Sequence, residues 1–186
     1  KAALVLRGRA ARVEAIIFQN MRVPDGNGAG IRLERGDLTV SASLFRNSEE
    51  GILTHDDPQS TIRIEHSIFG KLGRCDRDLD CAHSLYVGHY GQLIVTATRF
   101  EAGQGGHYLK SRAARVNILD ALRMAKTLQA VQLAKLGAGS NGPANPARFA
   151  FHVESLDPTW DLNGDGVVDE KDVQLMMSRM VKVGGS

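Results

Sequence analysis

Apolar positions recur along this chain in a six-residue unit that always closes on phenylalanine. The copies run from Val13 to Phe18 (VEAIIF), Val40 to Phe45 (VSASLF), Ile64 to Phe69 (IEHSIF) and Val95 to Phe100 (VTATRF). A β-branched residue opens each copy and a small residue usually stands third. A partial fifth copy starts at Val116, so the opening residues are spaced 27, 24, 31 and 21 apart. Between the copies lies a second unit, at Gly30 to Leu33 (GIRL), Gly51 to Leu53 (GIL), Ser84 to Val87 (SLYV) and His107 to Leu109 (HYL). Each is followed by a polar turn. Two or three short strands in an irregular period predict a right-handed parallel β-helix, because one coil cannot bury its apolar row until neighbours stack on it. Insertions then leave the stack as loops. An antiparallel β-sandwich also repeats short strands, but it gives no reason for four phenylalanines at one offset.

The fold class expected is mainly β: a short solenoid of four to five coils over residues 1–116, followed by a small α-helical module over 117–183. From Asn117 the period changes. Apolar residues at 118, 119, 122, 125, 128, 131 and 136 predict an amphipathic helix over 117–136, with Asn117 as its N-cap. A Gly-, Pro- and Asn-rich linker follows. A second helix is expected over 170–181, packing through Val173, Met176, Met177 and Met180.

Between linker and second helix the spacing of oxygen donors matches a twelve-residue calcium loop at 161–172. Asp161, Asn163 and Asp165 fill positions 1, 3 and 5, and Gly166 stands at the sharp turn. Val167 offers a backbone carbonyl, Asp169 fills position 9 and Asp172 closes the loop. Calcium wants six to eight oxygens, and this spacing draws them to one point. An Asp at the last position is shorter than the usual Glu. The bland reading is an acidic surface turn that binds nothing.

Two resemblances follow from these stretches. GILTHDDPQSTIRIEHSIFG, AHSLYVGHYGQLIVTATRF and GGHYLKSRAAR resemble bacterial parallel β-helix proteins. That superfamily implies action on polysaccharides, especially acidic ones, by lyases, hydrolases or epimerases. WDLNGDGVVDEKD with its following helix resembles one repeat of a dockerin module, and VNILDALRMAKTL resembles the helix of another whose acidic loop is missing. The dockerin resemblance implies a cohesin-type partner, met through Glu170 and Lys171 at loop positions 10 and 11. Neither has the small hydroxyl side chain common there. The strand motif runs into the dockerin-like helix near residue 116 without a linker, which suggests a deletion or a join.

Candidate chemistry concentrates on one side of the stack. Aligning Leu85 with Leu109 sets His83 beside His107 and Tyr86 beside Lys110, about 4.8 Å apart from coil to coil. Arg112 and His89 follow in the adjacent turns, and His55, Asp56 and Asp57 occupy the matching turn one coil earlier. β-Elimination of a uronate polymer needs its carboxylate neutralised, a base for the neighbouring proton and an acid for the leaving oxygen. Arg112 or His107 suits the first task, Lys110 or His83 the second and Tyr86 the third. A glycoside hydrolase needs two separated carboxylates, which the adjacent Asp56 and Asp57 do not supply. A solvated ladder of polar residues is the bland alternative. A non-catalytic adhesive solenoid, with calcium serving only to stabilise the tail, is the competing whole-protein reading.

Composition adds limits. The 186 residues are 42% hydrophobic, 24% charged and only 5% aromatic, with 20 glycines, which suits thin elements and many turns. A net charge of +2 gives no reason to expect nucleic acid, and no apolar run is long enough for a membrane span. Lys1 opens a strand-like stretch with neither initiator Met nor signal peptide, as in a mature fragment of an extracellular or cell-surface protein. Cys75 and Cys81 can close a short disulfide, stay as thiols, or join His83 around a metal with no clear fourth ligand.

Overall fold

The computed structural model of the chain describes residues 2–76, 80–119, 131–133, 149–152, 163–164, 175, 178–179 and 181–184. Its strands wind into a parallel β-solenoid of three sheets. Sheet A stacks β1 (Ala2–Leu6), β4 (Ala29–Leu33), β7 (Glu50–Thr54), β10 (Leu85–Val87), β13 (Leu109–Ser111) and β15 (Val131–Leu133). Sheet B stacks β2 (Ala10–Glu14), β5 (Asp37–Ser41), β8 (Asp57–Glu65), β11 (Tyr90–Thr96), β14 (Arg115–Leu119) and β16 (Phe149–His152). Sheet C stacks β17 (Val181–Gly184), β3 (Ile16–Gln19), β6 (Leu44–Ser48), β9 (Ile68–Leu72) and β12 (Arg99–Phe100). Every pairing between these strands is parallel, which excludes the sandwich. The chain makes four full turns before β13 and β14 begin a fifth.

The hexapeptide is not one strand. Its third residue turns a corner between sheets B and C, with φ of 55° at Ala15, 46° at Ala42, 46° at His66 and 44° at Ala97. A left-handed backbone tolerates bulk poorly, which explains the small residue there. The two strands flanking the corner aim opposite ends of the unit at one interior. Val13, Val40, Ile64, Val95 and Ile118 line it from sheet B, and Phe18, Phe45 and Phe69 line it from sheet C.

The phenylalanine rings form a continuous pile, with centroids 4.8 Å apart for Phe18 and Phe45, 4.7 Å for Phe45 and Phe69, and 5.1 Å for Phe69 and Phe100. Parallel in-register pairing sets that spacing, since it places like residues one strand apart. Sheet A closes on the pile through glycine. A Cβ on Gly30 would lie 2.8 Å from the Phe45 ring, and one on Gly51 would lie 2.8 Å from that of Phe69.

The helix expected from Asn117 is not found where the structure describes it. Asn117 to Leu119 are paired with Ile94 to Thr96 in sheet B, and Val131–Leu133 are paired with Leu109–Ser111 in sheet A. Val116 and Ile118 belong to the solenoid core, so period-2 burial outweighs the helical spacing that begins at 118. Strands thus run across residue 116. At the other end, Val181, expected to end a helix, starts β17, which pairs with Ile16 to Gln19. Within the second expected helix, Leu175 and Ser178 are described and have helical backbone. Most of the remainder of the expected helices lies outside the described residues, as do Asp161, Asp165, Val167, Asp169, Glu170, Lys171 and Asp172. Asn163 is described, exposed at a bend before Gly164. No helix among the described residues is long and apolar enough to cross a membrane.

Candidate functional site on sheet A

Sheet A turns Ile31, Ile52, Leu85 and Leu109 inward, each 1% exposed or less. Arg32, Leu53, Tyr86 and Lys110 follow one position later and form the adjoining column. Strand alternation sends that column outward, and all four side chains are half-buried. Leu85 pairs with Leu109 and Tyr86 with Lys110, the register that the sequence alignment expects.

Lys110 and Arg112 flank one ring. Lys110 Nζ stands 5.4 Å from the centroid of Tyr86, and Arg112 Cζ stands 5.8 Å from it. A cation over a tyrosine face is held by the ring quadrupole. The pair therefore presents two positive groups around one aromatic platform. Two coils earlier, Arg32 donates from Nε to Glu34 Oε1 at 2.7 Å and reaches His55 Nε2 at 2.8 Å. His89 Nδ1 meets Asp56 Oδ2 at 2.9 Å in the following turn.

Just before the strands, His83 and His107 meet across coils with ring centroids 5.0 Å apart and planes tilted by 45°. The backbone N–H of His107 donates to His83 Nδ1 at 3.0 Å, and His107 Nδ1 lies 3.3 Å from the same atom. Hydrogen bonding then assigns the tautomers. Since His83 Nδ1 accepts, neutral His83 carries its proton on Nε2. A proton on His107 Nδ1 avoids two lone pairs facing each other between the rings, and in that tautomer His107 Nε2 is the basic atom. Burial, helped by the positive charges of Lys110 and His107, pushes the His83 imidazole down to about 4. Burial and Lys110 also lower His107. Both rings are held towards the neutral form. His83 is therefore badly placed as a base, because its basic lone pair is already engaged, and His107 is the better candidate.

Glu50 was not among the residues picked out from sequence. It precedes Gly51 in the position that His83 and His107 occupy on the next two coils, and it is 3% exposed. Its Oε1 accepts the His83 backbone N–H at 3.3 Å, while Oε2 has no hydrogen-bond partner among the described residues. Burial raises its carboxyl to about 8, so it is neutral at neutral pH. The signal available was the acidic pair Glu49–Glu50 directly before an apolar strand, where a carboxylate must either be capped or protonated.

Cys75 and Cys81 form a disulfide, which removes the thiol alternative and the metal site with His83. Among the described residues, no three His, Cys, Asp or Glu side chains converge on a metal position. Comparison with protein-family models, with curated proteins and with solved structures found no match.

Proposed function

We propose that the outward face of sheet A binds an acidic polysaccharide. The observation that carries this reading is the pair of cations, Lys110 and Arg112, held over the half-buried Tyr86 ring. The Tyr86 ring holds the two cations in place, and a uronate carboxylate takes charge-assisted hydrogen bonds from Lys or Arg. Arg32 stands in the same column two coils before Tyr86, so an extended acidic chain lying along the stack meets a cation there as well. Titration with polygalacturonate and alginate, against a neutral glucan, tests it. Tyr86→Ala and Lys110→Ala should each weaken acidic-polymer binding about tenfold, consistent with ~1–3 kcal/mol per charged or ring contact. Equal affinity for the neutral glucan would sink the reading.

A second reading, favoured by the basic Nε2 of His107, is a lyase. His107 takes the proton at the carbon beside the uronate carboxylate, whose charge Arg112 neutralises. The electron pair forms the new C=C bond and expels the glycosidic oxygen, which takes a proton from Tyr86. Unsaturated product, seen by ultraviolet absorbance and lost in His107→Ala, would support this. Binding without product leaves the face an adhesive one.

The tail is read from its donor set. Asp161, Asn163, Asp165, Val167, Asp169 and Asp172 suit Ca2+, which would order the loop, and Glu170 and Lys171 would face a cohesin-type protein. A cohesin pull-down with and without Ca2+ tests the partner. Calcium binding without capture would make the ion a stabiliser alone. An extracellular or cell-surface location is supported by the Cys75–Cys81 disulfide, which persists in oxidising compartments.

A further inference from the structure

The disulfide sits against the turn that carries His107. Cys75 and Cys81 lie on two legs of an excursion between β9 and β10. The legs are joined near their base by two backbone bonds, from Arg74 N to Ala82 O at 3.3 Å and from Ala82 N to Arg74 O at 2.9 Å. The next coil's turn packs onto both legs. Gly105 is so close to one leg that a Cβ would lie 2.8 Å from Cys75 N. Gly106 is equally close to the other, where a Cβ would lie 2.8 Å from His83 Nδ1. Gly106 N–H also donates to Cys75 Sγ at 3.2 Å. The next residue is His107, whose backbone N–H and ring both meet His83 Nδ1.

We propose that the Cys75–Cys81 disulfide is a redox-controlled strap that seats His107 on His83 and so sets the state of the sheet A face. The consequence for ligand rests on the acidic-polysaccharide reading; the strap itself does not. A dithiol reductant supplies two electrons and two protons, the S–S bond breaks to two thiols, and the reductant closes to its own disulfide. The sulfur that accepts from Gly106 is then free to move. The two Arg74–Ala82 backbone bonds and the Arg74 to Asp76 ion pair still tie the excursion at its base, and the Ser84 N–H still donates to the His107 carbonyl at 2.9 Å. Gly105 and Gly106 have no side chains to hold the turn before that anchor, so reduction releases the turn and with it the approach of the His107 N–H and ring to His83.

Histidine ring resonances followed by NMR through a pH titration decide this. Dithiothreitol is added to the folded protein and complete reduction is verified as two titrated thiols. Reduction should shift the His83 and His107 ring resonances, raise the His107 midpoint towards its ordinary value as the ring loses its burial, and leave the His66 resonances, on the corner between sheets B and C, unchanged. Reoxidation should restore the spectrum. Polygalacturonate affinity should fall about tenfold on reduction. The double variant Cys75→Ala/Cys81→Ala should reproduce the reduced spectrum. If that variant does not fold, reduction of the folded wild type decides alone. Unchanged His83 and His107 rings in fully reduced protein would overturn the strap, whatever the protein binds. Moving rings with no polygalacturonate binding in either redox state would leave the strap standing and bring down the sheet A reading instead.

Discussion

Glu50 and His83 occupy matching positions on adjacent coils, and burial drives them both neutral. The consequences for stability have opposite signs. In the unfolded chain Glu50 ionises near 4.5, but in the fold it holds its proton to about 8. Over that range the unfolded state binds fewer protons, so stability falls as pH rises. His83 ionises near 6.5 unfolded and near 4 folded, so the unfolded state binds more protons and stability falls as pH drops. The two slopes oppose each other between about 4.5 and 6.5, and Glu50 alone acts above. Urea unfolding should therefore show a loss on the order of 2 kcal/mol between pH 6.5 and 8. Glu50→Gln should abolish that loss, and a variant that keeps it would refute the buried neutral carboxyl. The corner at Ala42, with φ of 46°, invites a second test. Ala42→Gly should leave stability equal or raise it by up to ~1 kcal/mol, whereas Ala42→Val should cost about 1–3 kcal/mol. Denaturant midpoints of the two variants check the order.

The elements here are short, and none is stable by itself. Each strand offers one or two side chains to the interior, and the strand above and below completes the contact. The phenylalanine pile is the clearest case, because every inner ring is sandwiched by two others. Phe45 is fully buried, and Phe45→Ala should destabilise by about 3–5 kcal/mol. The measurement is chemical denaturation; a change under 1 kcal/mol would mean that the pile does not hold the coils together. The repeat of phenylalanine at one offset made this element legible in the sequence. The corner inside the hexapeptide was less legible. Alternating apolar residues look the same whether a strand runs straight or bends, and only the backbone at Ala15, Ala42, His66 and Ala97 separates the two.

Across the whole molecule, successive coils bring distant residues into columns. His83 and His107 are 24 positions apart yet share a hydrogen bond. Strand β17, near the end of the chain, lies beside β3 of the first turn. The candidate calcium loop precedes β17 in sequence. Should that loop order around the ion, Ca2+ should raise the unfolding temperature by several degrees and Asp161→Ala should remove the rise. Thermal denaturation with and without chelator checks this. No calcium-dependent shift in the wild type would count against the loop.

The chain's local pattern was enough for the first four coils, the phenylalanine pile and the pairing of Tyr86 with Lys110, because in a parallel stack register follows from repeat alignment. The partial fifth copy, expected to open at Val116, is two residues out, since Val95 pairs with Ile118 and Val116 with Leu93. Tertiary structure decided what pattern could not. The residues from Asn117 to Leu119 have an apolar spacing that suits a helix, yet stacking on Ile94 to Thr96 supplies strand hydrogen bonds and a core for Val116 and Ile118. Glu50 is neutral because the neighbouring coil buries it, a contact between residues far apart in the chain. The choice between His83 and His107 as base rested on which nitrogen faced which, a matter of three-dimensional contact that no spacing along the chain encodes.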